Sequence, residues 1–251
     1  MYELVSLVNS LAMATMREGA MTVVARVAKG RTEGSRKAPA RTQDPEGAKR
    51  NILEVATEEF ALNGLSGARI DEIAARTRFS KRMIYYYFGD KEGLYLSALE
   101  NAYRLVREGE SKLDIEGLAP MDALKKLVEF TFDHHHLHED FIRMVMIENI
   151  HHGQYLERSS AIRQLNVSAI GTIETVYRRG VAEGVFRKDL DPMELHWQIS
   201  ALCFFNVSNR ATFSKIFGRD FGAPATLASL RHNVVDMVLR YVVKPSRLPR
   251  D

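Results

Sequence analysis

Between Ser80 and Lys91 the chain reads SKRMIYYYFGDK. Two cations, Lys81 and Arg82, and Met83 stand one residue ahead of three consecutive tyrosines, Tyr85, Tyr86 and Tyr87, with Lys91 closing the run. A phenol has a flat apolar body and a polar tip. Beside cations it can lie against sugars and base edges while its hydroxyl bonds phosphate oxygens. This is chemistry for touching nucleic acid, and Arg69 and Lys49 are further candidates for phosphate contact. Catalysis has no comparable signal. The chain shows no phosphate-cradling glycine loop, no nucleophile-elbow motif and no spaced carboxylate pair that stands out, so no enzyme is expected.

The elements that must position these side chains can be read from spacing. Ile70, Ile73, Ala74 and Thr77 recur at i, i+3, i+4 and i+7, the one-sided pattern of a helix about two turns long. Arg78 and Phe79 interrupt it, and Ser80 supplies a hydroxyl that can cap a second helix. There Ile84 and Phe88, four apart, share an inward face and leave the cations and tyrosines for the outside. A helix-turn-helix places its second helix in the DNA major groove, N-terminal residues nearest the bases. Lys81, Arg82 and Met83 are then the readers, and Tyr85, Tyr86, Tyr87 and Lys91 fix the register. The plainer alternative is that YYYF is aromatic core.

Ala56 to Phe60, Gly64, Ile70 to Ala74, Ser80, Ile84-Tyr85-Tyr86-Tyr87-Phe88 and Asp90-Lys91-Glu92 together resemble the DNA-binding domain of TetR-family transcriptional regulators. Two positions depart from that pattern. Ala68-Arg69 stands where the family usually opens the first helix of the motif with Thr, so a capping hydroxyl is missing. Arg78 stands where the family usually has Gly; if the turn needs positive φ, a non-glycine residue there is locally strained. The segment RRGVAEGVF, with Gly180 and Gly184, resembles the C-terminal region of the same family. The resemblance implies a second domain that binds a small-molecule effector and forms a homodimer through the last two helices, over about 192–217 and 224–243. It implies a repressor released from palindromic double-stranded operator DNA, with an activator as the alternative.

Composition agrees without deciding the matter. A net charge of +3 permits a nucleic-acid partner. The single cysteine, Cys203, excludes an intrachain disulfide and a four-cysteine zinc site, and fits a reducing cytoplasm. No apolar run is long enough to span a membrane, and Leu4 to Met16 lacks the basic start and cleavage motif of a signal peptide. A cytoplasmic location and no cofactor are expected.

In chain order, residues 1–44 read as a flexible basic tail, rich in Gly, Pro and charge after Lys29, in which Arg31, Arg36, Lys37 and Arg41 can act as an arm on DNA. Residues 45–91 read as the helix-turn-helix domain, opened by a helix from Pro45 that Gly64 ends. Residues 92–245 read as the effector-binding and dimerisation domain, and 246–251 as a tail. Asp90 caps a long helix carrying Tyr95, Leu99, Ala102 and Val106. FIRMVMIENI is apolar nearly all round and is expected to be central and buried. Asp191-Pro192-Met193-Glu194 is a specific helix start. Leu227, Leu230, Val234, Met237, Val238 and Tyr241 form one apolar stripe on the last helix. No alternating strand pattern occurs, so the fold is expected to be all-α.

Polar residues embedded in apolar helices are the effector candidates: Arg143, Glu148, Asn149, His151, Asn206 and Asn209, with Tyr177 and Trp197 as walls. Met144, Met146, Phe204 and Phe205 suggest a hydrophobic or aromatic ligand. His134 and His138, four apart, have a spacing that can hold a metal, which keeps a metal-sensing regulator as an alternative. Against it, HHHLHED reads as a solvated helix end.

Overall fold

In the computed structural model residues 44–247 are described, so the expectations for residues 1–43 and 248–251 lie outside the described part. The described chain is helical: α1 (Pro45–Gly67), α2 (Ile70–Thr77), α3 (Lys81–Phe88), α4 (Lys91–Glu110), α5 (Pro120–Leu137), α6 (Glu139–Ile150), α7 (Ser160–Ala182), α8 (Pro192–Ser208), α9 (Arg210–Phe217) and α10 (Pro224–Val242). Short 3-10 turns lie between α6 and α7 at Leu156–Arg158 and after α10 at Pro245–Arg247. The one β-type pairing among the described residues is an isolated antiparallel bridge between Phe186 and Val243.

Local chemistry sets the boundaries. Carboxylates at Asp44, Asp90 and Asp191 accept from the amides of Gly47, Gly93 and Met193, which leaves α1, α4 and α8 with satisfied N-termini. At the end of α7, Gly180 lets Phe186 fold back over the helix. A Cβ there would lie 2.0 Å from the Phe186 ring, which is fully buried.

The core falls into three clusters. Ile52, Phe60, Ile73, Ile84, Leu94 and Leu99, all without exposure, join α1 through α4 and take in Met144 of α6 and Ile162 of α7. A second cluster gathers α5, α7, α8 and α10 around Leu124, Val128, Phe186, Leu195, Ile199 and Val238. A smaller one sets Ala102 and Val106 of α4 against Phe141 and Ile142 of α6. Because α1 packs on both α4 and α6, the helix supporting the reading motif rests directly on the rest of the described chain.

Four details differ from the sequence expectation. Gly64 takes φ 66° but bends α1 rather than ending it, and the chain holds one more turn to Gly67. In α6, Phe141, Ile142, Met144 and Glu148 are buried while Arg143, Asn149 and Ile150 are exposed, so the helix has a solvent face after all. The helix expected over about 192–217 breaks at Asn209, which terminates α8 and starts α9 while its side-chain amide donates to the Ser208 hydroxyl. The apolar stripe of α10 divides: Val234, Val235, Val238 and Val242 turn inward, and Met237 and Tyr241 turn outward.

Candidate DNA-reading helix, buried polar cluster and outer groove

Helices α2 and α3 form the expected two-helix unit. Ile70, Ile73 and Thr77 bury one side of α2, and Ile84 anchors α3 with no exposure. The turn between them runs through Arg78 at φ 59°, ψ 19°, so the position does require left-handed backbone and a non-glycine residue accepts the strain. Ser80 caps α3, its Oγ accepting from the Met83 amide at 3.2 Å. Arg69 offers α2 no side-chain cap. Glu59 of α1 supplies the acceptor instead, taking the Arg69 amide at 3.1 Å and the Asn63 side-chain amide at 3.0 Å. Arg76 ion-pairs with Glu58, a second tie between α2 and α1.

The proposed readers are held to different degrees. Arg82 is exposed, with no ion pair or hydrogen bond among the described residues. Lys81 is exposed but ion-paired with Asp71, and Met83 is half-buried. Tyr86 is 79% exposed and Tyr85 40% exposed, whereas Tyr87 packs partly into the core. The run is therefore not plain aromatic core. Lys49 pairs with Glu46 at 3.0 Å and lies 5.7 Å over the Tyr87 ring, so it is seated beside α3. Lys91 donates to the Ser66 carbonyl at 3.2 Å, and the Arg69 side chain is exposed.

The effector candidates drawn from sequence do not converge. Arg143, Asn149 and His151 are exposed. Glu148 is buried but already engaged, taking the Tyr95 hydroxyl at 2.8 Å and the Leu156 amide at 3.1 Å. Burial first, then this hydrogen bond to the carboxylate, push the Tyr95 phenol up. Tyr177 is buried, donating to the Arg187 carbonyl at 2.8 Å and accepting from the Leu190 amide at 3.1 Å. Asn206 and Asn209 are half-buried and bonded within their own helices, and Trp197 is 72% exposed.

A polar cluster that sequence spacing did not reveal lies between α4, α5 and α8. Arg107 and Glu110 form a nearly buried ion pair, 15% and 12% exposed. His134, His135 and His196 surround the region, and burial chiefly lowers all three, His134 to about 3 and His135 to about 4, with the Arg107 charge acting in the same direction. Tyr103 is pushed up to about 12, again by burial first. The burial of His134 and His135 corrects the solvated-helix-end reading of HHHLHED. His134 and His138 do stack, with ring centroids 4.1 Å apart, but His138 Nδ1 lies 3.0 Å from the His134 carbonyl oxygen. Among the described residues no group of three or more His, Cys, Asp or Glu side chains is placed to share a metal ion, so the metal-sensing alternative gains no support. Cys203 is buried nearby, its thiol raised to about 12 by burial.

On the far side of α8 an open groove runs between α8 and α10, lined by Leu202, Phe205, Asn206, Leu230, Val234 and Met237 among others. Trp197, Met193 and Tyr241 add exposed apolar surface on the same two helices. No helix among the described residues is long and apolar enough to cross a membrane.

Residues 52–98 match the family described as bacterial regulatory proteins, tetR family, and residues 120–238 match the tetracyclin repressor-like C-terminal domain. The HTH-type transcriptional repressor NicS of Pseudomonas putida is 34% identical over 206 residues, covering 82% of this chain and 97% of that protein. A protein of Saccharomonospora viridis solved in complex with choline shares the fold at a TM-score of 0.61 and 25% identity, covering 79% of this chain and 99% of that one. FadR of Bacillus subtilis, solved with stearoyl-CoA, shares it at a TM-score of 0.57 and 18% identity, covering 76% and 98%.

Proposed function

The chain belongs to the TetR family of bacterial transcriptional regulators, and from that premise we propose that it is a homodimeric repressor that leaves its operator when a small molecule binds. The observation that carries the reading is α3 itself: a capped, core-anchored helix whose outer face presents Arg82, Tyr85 and Tyr86 to solvent. Arg82 reads bases, with Lys81 and Met83 beside it. Tyr85, Tyr86, Tyr87, Lys91, Lys49 and Arg69 meet the backbone, Lys91 from the start of α4, where it also donates to the Ser66 carbonyl of α1. Residues 45–91 make the reading domain and 92–245 the effector and dimerisation domain.

Dimerisation falls to the α8–α10 groove. Exposed apolar side chains on two adjacent helices match a self-complementary interface across a two-fold axis. The relatives' ligands, choline and stearoyl-CoA, are chemically unlike, so the effector class has to be read from this chain's own residues. Release works by linkage. α4 begins three residues after Phe88, so an effector that prefers another placement of α4 shifts the two reading helices, by no more than its differential affinity for the two states. The test is binding of purified protein to genomic fragments followed by footprinting, with Arg82→Ala and Tyr86→Ala compared on the selected site. A reading role requires Arg82→Ala to relax sequence preference and Tyr86→Ala to weaken all DNA alike.

A further inference from the structure

In the turn that joins α2 to α3, every residue but one has a visible structural task. Thr77 is buried, and its Oγ1 donates to the Ile73 carbonyl at 2.7 Å and accepts from the Phe79 amide at 3.4 Å. Phe79 packs against the core cluster of the reading unit, and Ser80 caps α3. Arg78, between two residues that face inward, is exposed, and its guanidinium has no ion pair or hydrogen bond among the described residues. This residue nevertheless holds φ 59°, a left-handed conformation that L side chains disfavour. The other positive-φ positions of residues 45–91, Gly64 and Gly89, are glycines. A cation at the end of α2 also meets the helix dipole, but Arg76 already stands in that last turn. Glycine at position 78 would serve the fold at least as well, so the arginine side chain has its use outside the fold.

Its placement indicates the use. Arg78 stands two residues before the first helical residue but one of α3, directly ahead of the cap region, and this is the end of the helix that a helix-turn-helix lowers into the major groove while the preceding helix crosses the backbone. Residues inside that end reach base edges. A side chain leaving the turn just outside it meets the wall of the groove, which is a row of phosphates. Two neighbouring cations are engaged within the protein, Arg76 with Glu58 and Lys81 with Asp71, whereas the Arg78 charge is uncommitted. A guanidinium presents its donors in a fixed fork that fits two phosphate oxygens at once.

We propose that Arg78 is a DNA-backbone contact, one guanidinium in each half of the dimer clamping a phosphate at the edge of the major groove, and that the strained turn is kept for this contact rather than for the fold. Strain held at a point of function is the pattern expected when the side chain cannot be moved elsewhere. The assignment rests on the reading of the chain as a DNA-binding repressor. It adds to that reading a residue that carries affinity without base preference.

The experiment compares the unmodified protein with Arg78→Gly and Arg78→Lys on the operator fragment selected from genomic DNA and on a scrambled duplex of the same length. Binding is titrated from about 50 to 200 mM salt, and each protein is melted thermally. Arg78→Gly is expected to bind both duplexes about 10-fold more weakly, with the ratio between them unchanged, and to reduce the slope of log affinity against log salt by about 2, one phosphate in each half-site. Its melting temperature is expected to rise by about 2 °C as the strain is released. Arg78→Lys keeps the charge and the strain, and is expected to retain most of the affinity and the salt slope and to melt like the unmodified protein. Unchanged affinity and slope in Arg78→Gly would overturn the assignment and leave a solvated turn residue. A loss confined to the operator would overturn it in favour of a base reader, and a lowered melting temperature in favour of a structural cap. Specific operator binding that Arg78→Gly leaves intact rejects this contact alone, whereas no specific binding by the unmodified protein rejects the repressor reading and this contact with it.

Discussion

Lowering the pH from 7 to 5.5 should destabilise the protein through His134 and His135. Burial holds them at about 3 and about 4, against an ordinary value of 6.5. Above 6.5 both rings are neutral in folded and unfolded chains, and the stability is fully present. As the pH falls below 6.5 the unfolded chain takes up protons that the folded protein refuses, so stability is lost progressively toward the folded values. Each histidine forfeits on the order of 1 kcal/mol between pH 7 and 5.5, and the pair about 2–3 kcal/mol. His196, also lowered by burial, adds in the same direction, whereas Glu110 and Asp140, raised by burial, act in the opposite one. The assay is urea unfolding across this range at one protomer concentration, in a buffer without carboxylates. His134→Gln should remove close to half of the pH dependence. A flat profile for the unmodified protein, or an undiminished slope in the variant, would refute the buried neutral histidines.

Three further outcomes follow from contacts described above. Gly180→Ala, ordinarily favourable inside a helix, should lower stability by about 1–3 kcal/mol because its Cβ meets the Phe186 ring at 2.0 Å, as thermal melting will read. Tyr95→Phe should cost about 1–3 kcal/mol by leaving Glu148 with the Leu156 amide alone, and adding Glu148→Gln should recover part of that loss in a double-mutant cycle. Arg82→Ala should reduce discrimination between operator and scrambled DNA by about 10-fold or more, the size of one lost bidentate base contact, measured by competition binding at fixed salt.

The reading motif was legible in the sequence because its determinants are local. The spacing of Ile70, Ile73 and Thr77, the hydroxyl of Ser80 and the order of cations and tyrosines lie within two short helices. The cap of α2 was not, because Glu59 reaches it from another helix. Helix α8 carries apolar residues on both faces, so the spacing of Leu195, Ile199 and Leu202 marks an inward stripe but does not tell that Cys203 turns inward while Trp197 and Phe205 turn out. That ambiguity sent Trp197 and Asn206 to the effector list, although both sit on or beside the outer groove. Arg107 and His196 give no signal for a related reason, each adjoining core residues on its own helix, and His135 stands out only as part of the histidine run; only the packing of α4, α5 and α8 brings the three together. Arg107 did stand one turn after Tyr103 on α4, a polar pair on one helical face that could have drawn attention to it.

The most direct measurement is selection of bound genomic fragments by the purified protein, with footprinting of the best one. A homodimeric repressor predicts a protected inverted repeat with half-sites about 34–36 Å apart along the duplex, and protection that weakens steeply as salt rises. Failure to protect any specific site at moderate salt, or protection of a single unpaired half-site, would contradict it.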